Sequence, residues 1–437
     1  MTLEDYLEQD ARLYPDKTAV VCGDEHITYA RLWQMVRERA QAILLPRSTV
    51  VLFRATQDID FLVTYFSIHL AGCVAAPLEK DTPEARFHEL QESLQGVSVP
   101  EGIADVLFTT GTTGKSKGVR ISHSTIVADA ENLIAGQGFT HELVFIVHGP
   151  LNHIGSLSKI FPLILQGATL YLLDGMKDLD AFFNALEYPA GKMATFLVPA
   201  NVRMLTQFAA NRLSAYSEKL DFIESGGAPL PHADMLELCR LLPHTRLYNT
   251  YASTETGIIS TYNYNDGRCL VGCLGHTMPH SKVVITPEGR ISCQGDTLMS
   301  GYIGEPELTA TVLNNGTVCM SDLGTIDEEG MLHIGGRQDD VINVGGFKVA
   351  PTEVEDAVLM LPEIRDCICI SAPHPITGRA LKLLVVMADG EPFDKRRIAR
   401  YLSTKLEAYK VPLLYEQVPS IKRTYNGKLD RKAYLLQ

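Results

Sequence analysis

The stretch that decides the fold is residues 109–118, which read TTGTTGKSKG. It follows an apolar run at residues 104–110 that predicts a strand. It precedes residues 122–135, whose apolar spacing predicts a helix capped by Ser122 or Ser124. Glycines let successive backbone N–H groups converge into a nest that binds anions, and the hydroxyl and ammonium groups add donors. The segment therefore predicts a phosphate-binding loop in a strand–loop–helix unit.

This loop is not a complete Walker A motif. The G-K-S end is present at Gly114, Lys115 and Ser116, but the first glycine of that motif would fall at Thr109. The alternative is a mobile surface loop. The density of donors between a strand and a helix favours phosphate binding.

The composition excludes several classes of protein. The chain has 437 residues, 46% of them hydrophobic and 21% charged, which is typical of a folded globular protein. Its formal net charge of −13 argues against a nucleic-acid partner or an anionic membrane surface. The acidic N-terminus has no signal-peptide core, and the uncharged residues 61–78 read as a helix followed by a strand rather than a membrane span. The 9 scattered cysteines contain no CxxC pair, so we expect reduced thiols in a cytoplasmic protein rather than a zinc site.

Strand and helix signals alternate along most of the chain. Strands are predicted at 48–53, 73–78, Leu143–Val147, 168–173, 194–198 and 222–224, with helices at 27–43, 58–70, 157–165, Leu179–Leu186 and 202–210. This alternation predicts a doubly wound α/β body. From Val283 onward the pattern changes to short strands and turns.

A domain boundary is predicted in the polar, glycine-rich residues 335–340 (GGRQDD). Beyond it the pattern restarts, with helices at 354–361 and 394–408 and strands at 364–371 and 381–387. We therefore predict a core domain over 1–338 and a small α+β C-terminal domain over 339–437.

Six motifs together resemble those of one enzyme superfamily. The segment TTGTTGKSKGV resembles the phosphate loop of the adenylate-forming enzymes, which include acyl-CoA synthetases, peptide-synthetase adenylation domains and luciferases. The other motifs follow in that family's order: residues 225–230 (SGGAPL), 251–255 (YASTE), 321–324 (SDLG), 336–340 (GRQDD) and 426–428 (NGK). The resemblance covers nearly the whole chain and is nearest to the aryl- and acyl-CoA ligases.

The resemblance implies both a fold and a reaction. The fold is a large N-terminal body of layered α/β subdomains with a β-rich section, followed by a small mobile α+β domain. The reaction is ATP-dependent activation of a carboxylic acid to an acyl-adenylate with release of pyrophosphate, then transfer to the thiol of coenzyme A. ATP, Mg2+ and coenzyme A, or the phosphopantetheine of a carrier protein, are the implied cofactors.

The resemblance also implies roles for individual residues. Lys428, Thr254 and Glu255 would be catalytic, with Lys428 stabilising the charge that develops on the α-phosphate and Glu255 binding magnesium. Asp339 would be the hinge, and Gly345 with Gly346 would line the pantetheine tunnel. The residues implied to bind ATP or AMP are Thr109, Thr110, Gly111, Thr112, Thr113, Gly114, Lys115, Lys117, Gly226, Gly227, Ala228, Tyr251, Asp322 and Arg337.

Side-chain chemistry agrees with three of these roles. Tyr251 could stack on adenine, and Asp322 could accept hydrogen bonds from both ribose hydroxyls. Arg337 carries a fork of donors for ribose or phosphate. Taken singly, a Glu such as Glu255 is more often a helix cap, Asp322 a turn residue and Arg337 a surface ion pair.

The acyl pocket is expected at residues 150–156 (PLNHIGS), where His153 matches a histidine of many acyl-CoA ligases. The segment has no acidic residue, and an unpaired ammonium in an apolar pocket is costly. An aryl or aliphatic acid is therefore favoured over an α-amino acid. The alternative for His153 is a core histidine with satisfied hydrogen bonds.

The sequence departs from the family pattern in three places. Ala252 and Ser321 replace glycines, and both are small enough to keep the backbone approach. The stretch between Leu78 and Ala104 is short, so the first subdomain looks trimmed.

Four functional readings remain open from the sequence. The acceptor is coenzyme A in the first and a carrier protein in the second. A luciferase-like oxidase ranks low because Gly345 lies near where luciferases carry a lysine. A non-catalytic nucleotide-binding protein would have lost Lys428, Glu255 or the loop lysines, and all are present.

Overall fold

A computed structural model describes residues 1–110, 116–375, 378–424 and 428–435. The helices are α1 (Leu3–Leu13), α2 (Tyr29–Ala42), α3 (Ile59–Leu70), α4 (Glu84–Ser93), α5 (His123–Gln137), α6 (Ile154–Leu157), α7 (Ile160–Gln166), α8 (Leu179–Leu186), α9 (Pro199–Phe208), α10 (Ala210–Ser214), α11 (His232–Leu241), α12 (Pro306–Val312), α13 (Pro351–Leu359), α14 (Lys395–Ser403) and α15 (Lys432–Leu435).

The strands are β1 (Thr18–Cys22), β2 (Glu25–Thr28), β3 (Val50–Ala55), β4 (Val74–Glu79), β5 (Ile103–Thr110), β6 (Ser116–Ser122), β7 (Leu143–Val147), β8 (Thr169–Leu172), β9 (Lys192–Leu197), β10 (Leu220–Ser225), β11 (Arg246–Ser253), β12 (Gly257–Asn263), β13 (Cys273–Thr277), β14 (Ser281–Ile285), β15 (Arg290–Gly295), β16 (Leu313–Asn314), β17 (Thr317–Ile326), β18 (Leu332–Arg337), β19 (Ile342–Val344), β20 (Phe347–Val349), β21 (Ile364–His374), β22 (Gly378–Met387) and β23 (Leu414–Gln417).

The largest sheet has a parallel centre. Its order is β14-β15-β17-β18-β13-β12-β11-β10-β9-β7-β8-β1-β2, and the strands from β11 to β1 pair in parallel. Strand β7 reads LVFIV and is buried at every residue. Such continuous apolar strands belong to parallel sheets covered on both faces. The α/β fold class predicted from the sequence is confirmed here.

The second sheet corrects the predicted setting of the phosphate loop. Its order is β3-β4-β5-β6, with β3, β4 and β5 parallel and β6 antiparallel to β5. The prediction of a strand, a loop and then a helix was wrong, because β6 intervenes before α5. Val119 and Ile121 are buried with the partly exposed Arg120 between them, and this spacing of two is typical of a strand rather than a helix.

The C-terminal part has its own apolar core. Strands β21, β22 and β23 form one sheet, and buried side chains of α13 and α14 pack with it. The helix predicted over 394–408 is shorter, since α14 ends at Ser403. The hydroxyl of Thr404 donates to the carbonyl of Tyr401 at 2.7 Å, and such side-chain bonds compete with helix continuation. The boundary between residues 338 and 339 remains a prediction.

Buried charges connect three elements, α1, α3 and β5. His69 on α3 lies between two carboxylates, with Nδ1 at 2.8 Å from Glu4 and Nε2 at 3.0 Å from Asp105. The hydroxyl of Tyr65 donates to Asp105 at 2.9 Å. Burial alone would lower the pKa of His69, but the two carboxylates raise this pKa to about 10. The imidazolium therefore holds α1, α3 and β5 together at neutral pH.

The nine cysteines carry free thiols. Over the described ranges, no helix has the length and apolar character needed to cross a membrane.

We predict that His69→Leu lowers the free energy of unfolding by about 3–5 kcal/mol at pH 7, because two buried carboxylates lose their cation. Urea denaturation of both proteins measures the difference. The ionic contribution of His69 is complete below about pH 6.5 and is lost as the pH rises toward about 10, since the folded-state pKa is raised. His88→Leu, at an exposed position of α4, is the control and should change stability by less than about 0.5 kcal/mol. Equal effects of the two substitutions would contradict the role of this network.

Candidate active site

Three of the predicted segments meet where parallel strands end. Strand β10 ends at Ser225, which pairs with Asn249 of β11, so the residues 225–230 and 251–255 start side by side. The carboxyl ends of β7 and β9 lie along the same edge of the sheet. Ligands of α/β sheets bind at this edge. The largest sheet thus gathers the predicted acyl, adenine and YASTE segments in one place.

Glycines at this edge permit close packing. A Cβ on Gly226 would lie 3.0 Å from the carbonyl oxygen of Thr250 and 3.4 Å from the ring of Phe196. Gly227 has φ +80°, which side-chain-bearing residues rarely adopt. The backbone at these positions therefore depends on glycine, and it lies against β11 just before Tyr251. Ala228 is half-buried in the same loop.

Tyr251, Asp322 and Arg337 form one group. The hydroxyl of Tyr251 donates to Asp322 Oδ2 at 2.7 Å, and Arg337 Nε lies 3.4 Å from Asp322 Oδ1. Asp322 and Arg337 are paired across β17 and β18. Burial, and then the charge of Asp322, raise the pKa of Tyr251 well above its ordinary value, so the phenol stays a donor. Arg337 also donates to Ser321 Oγ at 2.9 Å, which gives a role to the residue that replaces the family's glycine.

Thr254 and Glu255 lie in the tight turn between β11 and β12, so Glu255 does not cap a helix. Ser253 Oγ accepts from the backbone N–H of Thr256 at 3.1 Å and closes the turn. The hydroxyl of Tyr302 donates to Glu255 Oε1 at 3.0 Å, and Lys117 Nζ lies 5.6 Å from the centroid of the Tyr302 ring. Tyr302 was not predicted, since it lies outside every motif, and it connects Glu255 to the strand that follows the phosphate loop.

The structure places Lys428 near this group. Desolvation of its ammonium by the surrounding protein, and then the charge of Arg337, lower the pKa of Lys428, whereas Asp322 and Glu255 oppose this shift. Lys428 as a whole residue is exposed. Asp322 and Glu255 of the N-terminal part thus lie close enough to act on a cation of the C-terminal part.

His153 faces a carboxylate that the sequence did not indicate. It directly precedes α6 and is half-buried, with Nε2 at 3.5 Å from Glu79 Oε1. Burial lowers the pKa of His153, with Lys428 acting in the same direction and Glu79 opposing it. Glu79 ends β4 in the other sheet. The position of Glu79 at the carboxyl end of a parallel strand was a signal that it could belong to the site. Its partner His153 lies far along the chain, so the sequence did not indicate their contact.

A buried ion pair lies behind the pocket edge. Lys159 Nζ donates to Glu224 Oε1 at 2.7 Å, and each side chain is only 1% exposed. Lys159 Nζ also lies 5.1 Å from the centroid of the Phe196 ring. Glu224 directly precedes the 225–230 motif and Lys159 follows the acyl segment, so the pair joins the two. A lysine within an apolar run, residues 157–165, was the overlooked signal.

Other predicted site residues lie apart or outside the description. Gly111, Thr112, Thr113, Gly114 and Lys115 fall outside the described residues. Thr109 and Lys117 face each other near the ends of β5 and β6, and Thr110 is the last residue of β5. Asp339 is exposed in the 3-10 turn Gln338–Asp340. Gly345 and Gly346 form the exposed turn between β19 and β20, with φ +58° and +98°.

The chain belongs to the AMP-binding enzyme family. The sequence model of the AMP-binding enzyme matches residues 7–95 and 89–303, and that of the AMP-binding enzyme C-terminal domain matches residues 353–428. The resemblance to adenylate-forming enzymes inferred from the motifs is therefore confirmed.

Named relatives of this chain include two CoA-dependent enzymes. A feruloyl-CoA synthase from Amycolatopsis sp is 27% identical over 479 residues, covering 96% of this chain and 95% of that protein. A 2-succinylbenzoate–CoA ligase from Bacillus cereus is 26% identical over 482 residues, covering 99% and 98%. The structure of ATP-bound MatB from Rhodopseudomonas palustris superposes with a TM-score of 0.86 at 24% identity, covering 100% of this chain and 98% of that one. The last comparison establishes a shared fold.

We predict that Lys159→Met lowers the free energy of unfolding by about 3–5 kcal/mol, because Glu224 is left buried without its cation. The double variant Lys159→Met/Glu224→Leu should recover most of this loss, since it removes both charges. Urea denaturation measures both variants. The matched control is Arg240→Met, which breaks the exposed Arg240–Glu237 pair at 2.6 Å and should cost less than about 1 kcal/mol. A double variant no more stable than Lys159→Met would contradict the pairing argument.

Proposed function

We propose that this protein is an AMP-forming acid–thiol ligase. It activates a carboxylic acid with ATP to an acyl-adenylate, releases pyrophosphate, and transfers the acyl group to the thiol of coenzyme A. The observation that carries the proposal is the Tyr251–Asp322–Arg337 group together with Glu255, which Tyr302 orients, since Asp322, Arg337 and Glu255 all lie close enough to Lys428 to shift its pKa. The two relatives named for CoA-dependent reactions support the same chemistry.

The described residues fit an adenine nucleotide. Asp322 presents a carboxylate that is oriented by Tyr251 and Arg337, as ribose-binding acidic residues are. Gly226 packs closely against β11, and Gly227 is exposed with φ +80°, so no Cβ projects from this part of the segment assigned to the adenine. Thr109 and Lys117 stand at the base of the loop assigned to the phosphates. These assignments make the cleft a nucleotide site built from both sheets.

Glu255 supplies a hard oxygen ligand that suits magnesium bound to ATP phosphates. The hydrogen bond from Tyr302 fixes its carboxylate, in the way that outer residues orient metal ligands. Thr254, beside it in the same turn, is assigned as a donor to the α-phosphate. Magnesium, when bound, neutralises phosphate charge.

Lys428 is assigned the main catalytic role. The carboxylate oxygen of the acid attacks the α-phosphorus, a new P–O bond forms, and the bond to pyrophosphate breaks. Negative charge builds on the α-phosphate oxygens during this exchange. An ammonium already fixed in the cleft stabilises that charge without reorganisation. No side-chain nucleophile is needed.

His153 and Glu79 are assigned to the acyl side of the cleft. An α-amino acid was disfavoured because residues 150–156 contain no carboxylate to pair with its ammonium. The contact with His153 places the carboxylate of Glu79 near this segment, so that argument needs a further reason. Glu79 already contacts His153, and Lys428 is close enough to lower the pKa of His153, so a substrate ammonium at this position would meet a like charge. We therefore retain an aryl or aliphatic acid, without an α-ammonium, as the substrate class.

Side chains of the C-terminal part support coenzyme A as the acceptor of the acyl group. Helix α14 exposes Lys395, Arg396 and Arg400, and such cations suit the phosphates of coenzyme A. The second candidate is the phosphopantetheine of a carrier protein. An apolar docking surface would favour this candidate, and Phe347 offers one, since its side chain is 55% exposed next to Gly345 and Gly346. The centroid of the Phe347 ring lies 4.6 Å from that of the Tyr409 ring, and the two rings are stacked.

We propose residues 1–338 and 339–437 as the two domains, with Asp339 at the hinge.

ATP–pyrophosphate exchange with magnesium tests the proposal against a panel of aryl, aliphatic and amino acids. We expect exchange with an aryl or aliphatic acid, and thioester formation when coenzyme A is added. Transfer only to a pantetheinylated carrier protein would favour the second acceptor. ATP binding without exchange for any acid would contradict the adenylation step.

With the active acid, Lys428→Ala should lower the exchange rate by about 100-fold or more, because the developing charge loses its ammonium. ATP affinity, measured by calorimetry, should change much less. Lys422→Ala is the control, since it removes an exposed lysine from the same segment and should keep the wild-type rate. A wild-type rate in Lys428→Ala would refute the assigned role.

Glu79→Gln should move the acidic limb of the pH profile for adenylation to lower pH. Glu79 raises the pKa of His153, so its removal lets that pKa fall further and keeps the imidazole neutral in more acidic solution. The measurement is kcat/KM for the acid between pH 5 and 9. Asp81→Asn, an exposed carboxylate two residues on, is the control and should leave the limb in place. Equal shifts in both variants would assign the effect to general charge instead.

A further inference from the structure

A chain of charged groups connects the N-terminal and C-terminal parts. Arg203 on α9 donates from Nη2 to Asp234 on α11 at 2.9 Å and from Nη1 to Asp366 on β21 at 2.7 Å. Arg423 donates from Nη2 to the other oxygen of Asp366 at 2.8 Å. Two arginines and two carboxylates thus alternate across the boundary between the parts.

At its far end, this chain of charges reaches two paired segments, residues 422–424 and 428–430, and the second of these carries Lys428. Arg423 and Leu429 are bridged as antiparallel partners. The backbone N–H of Thr424 donates to the carbonyl of Lys428 at 2.8 Å, and that of Asp430 donates to Lys422 at 3.0 Å. A short ladder therefore fixes Lys428 relative to Arg423.

The network is shielded enough for its geometry to matter. The side chains of Arg203 and Asp234 are each 14% exposed and that of Asp366 is 18% exposed. Pairs with this little exposure are screened less than surface pairs, and removing one partner leaves the other charge poorly solvated. The planar guanidinium of Arg203 bonds to both carboxylates at once, which a lysine ammonium cannot do with the same fork.

We propose that Arg203 is a positioning residue for adenylate formation. It binds Asp366, and Asp366 binds Arg423. Arg423 belongs to the segment paired with residues 428–430, and this pairing sets the position of Lys428 relative to Asp322 and Glu255. This inference rests on the proposed function, because it assumes that Lys428 acts in the adenylation step. The Arg203–Asp366 contact exists only while the N-terminal and C-terminal parts are arranged as in this structure. It therefore acts on adenylate formation and not on a step that needs a different arrangement of the two parts.

The test compares the two half-reactions of Arg203→Gln. We expect pyrophosphate release with ATP and the active acid to fall by about tenfold, as for other truncated charge pairs with little solvent exposure. Thioester formation from separately prepared acyl-adenylate and coenzyme A should stay within twofold of wild type. Arg203→Lys should fall between wild type and Arg203→Gln. A loss shared equally by both half-reactions would point to a structural role alone and overturn the proposal.

The matched control is Arg365→Gln, which breaks the exposed Arg365–Asp389 pair at 3.0 Å one residue from Asp366. Its half-reactions should both match wild type. A double-mutant cycle of Arg203→Gln with Asp366→Asn should be strongly non-additive in pyrophosphate release. Additive effects would also overturn the proposal.

Hydrogen exchange of the substrate-free protein separates this inference from the proposed function. Arg203→Gln, but not Arg365→Gln, should speed amide exchange at Thr424 and Lys428, which needs no active acid. If no acid supports pyrophosphate exchange but Arg203→Gln speeds amide exchange at Thr424 and Lys428, the proposed function fails and the structural link from Arg203 to Lys428 is supported. If wild type is active and neither amide exchange nor pyrophosphate release responds to Arg203→Gln, the inference fails alone.

Discussion

The proposed reaction depends on one long-range interaction, in which Asp322 and Glu255 act on the ammonium of Lys428 from another part of the chain. Asp322 lies on β17 and Glu255 in the turn after β11, whereas Lys428 lies beyond the sheet of β21, β22 and β23. A lysine at an exposed position has many accessible side-chain positions. The position of Lys428 must be set by contacts that cross between the parts, because local hydrogen bonds fix its backbone but not how the C-terminal part packs on the N-terminal part.

The largest sheet provides the fixed side of this arrangement. Its parallel strands are buried along their lengths, and their polar residues collect at the carboxyl ends. Close backbone approach at Gly226 and the left-handed conformation of Gly227 shape that edge. The hydrogen bonds of Tyr251 and Tyr302 then orient Asp322 and Glu255. Rigid backbone and fixed phenols together reduce the reorganisation that a charged reaction requires.

Buried ion pairs support this edge from behind. The Lys159–Glu224 pair joins the acyl segment to β10, and His69 joins α3 to α1 and β5. Desolvation makes such pairs weak sources of net stability, but breaking one leaves an unpaired buried charge. They therefore favour one arrangement of the elements over alternatives with the same apolar packing.

The sequence by itself determined the class of fold, most element positions and the family, because apolar periodicity and short motifs are local properties. Leu143–Val147 and Leu179–Leu186 have the predicted bounds, and Ser122 caps α5 as expected. Only the tertiary structure decided that β6 follows the phosphate loop, that Glu79 faces His153, and that Arg203 reaches Asp366. The partners in each of these two side-chain pairs are separated by many residues, and their contact follows from how sheets and helices pack. No local pattern encodes such a contact, since a single glutamate or arginine has the same sequence signature on an open surface as in a cleft.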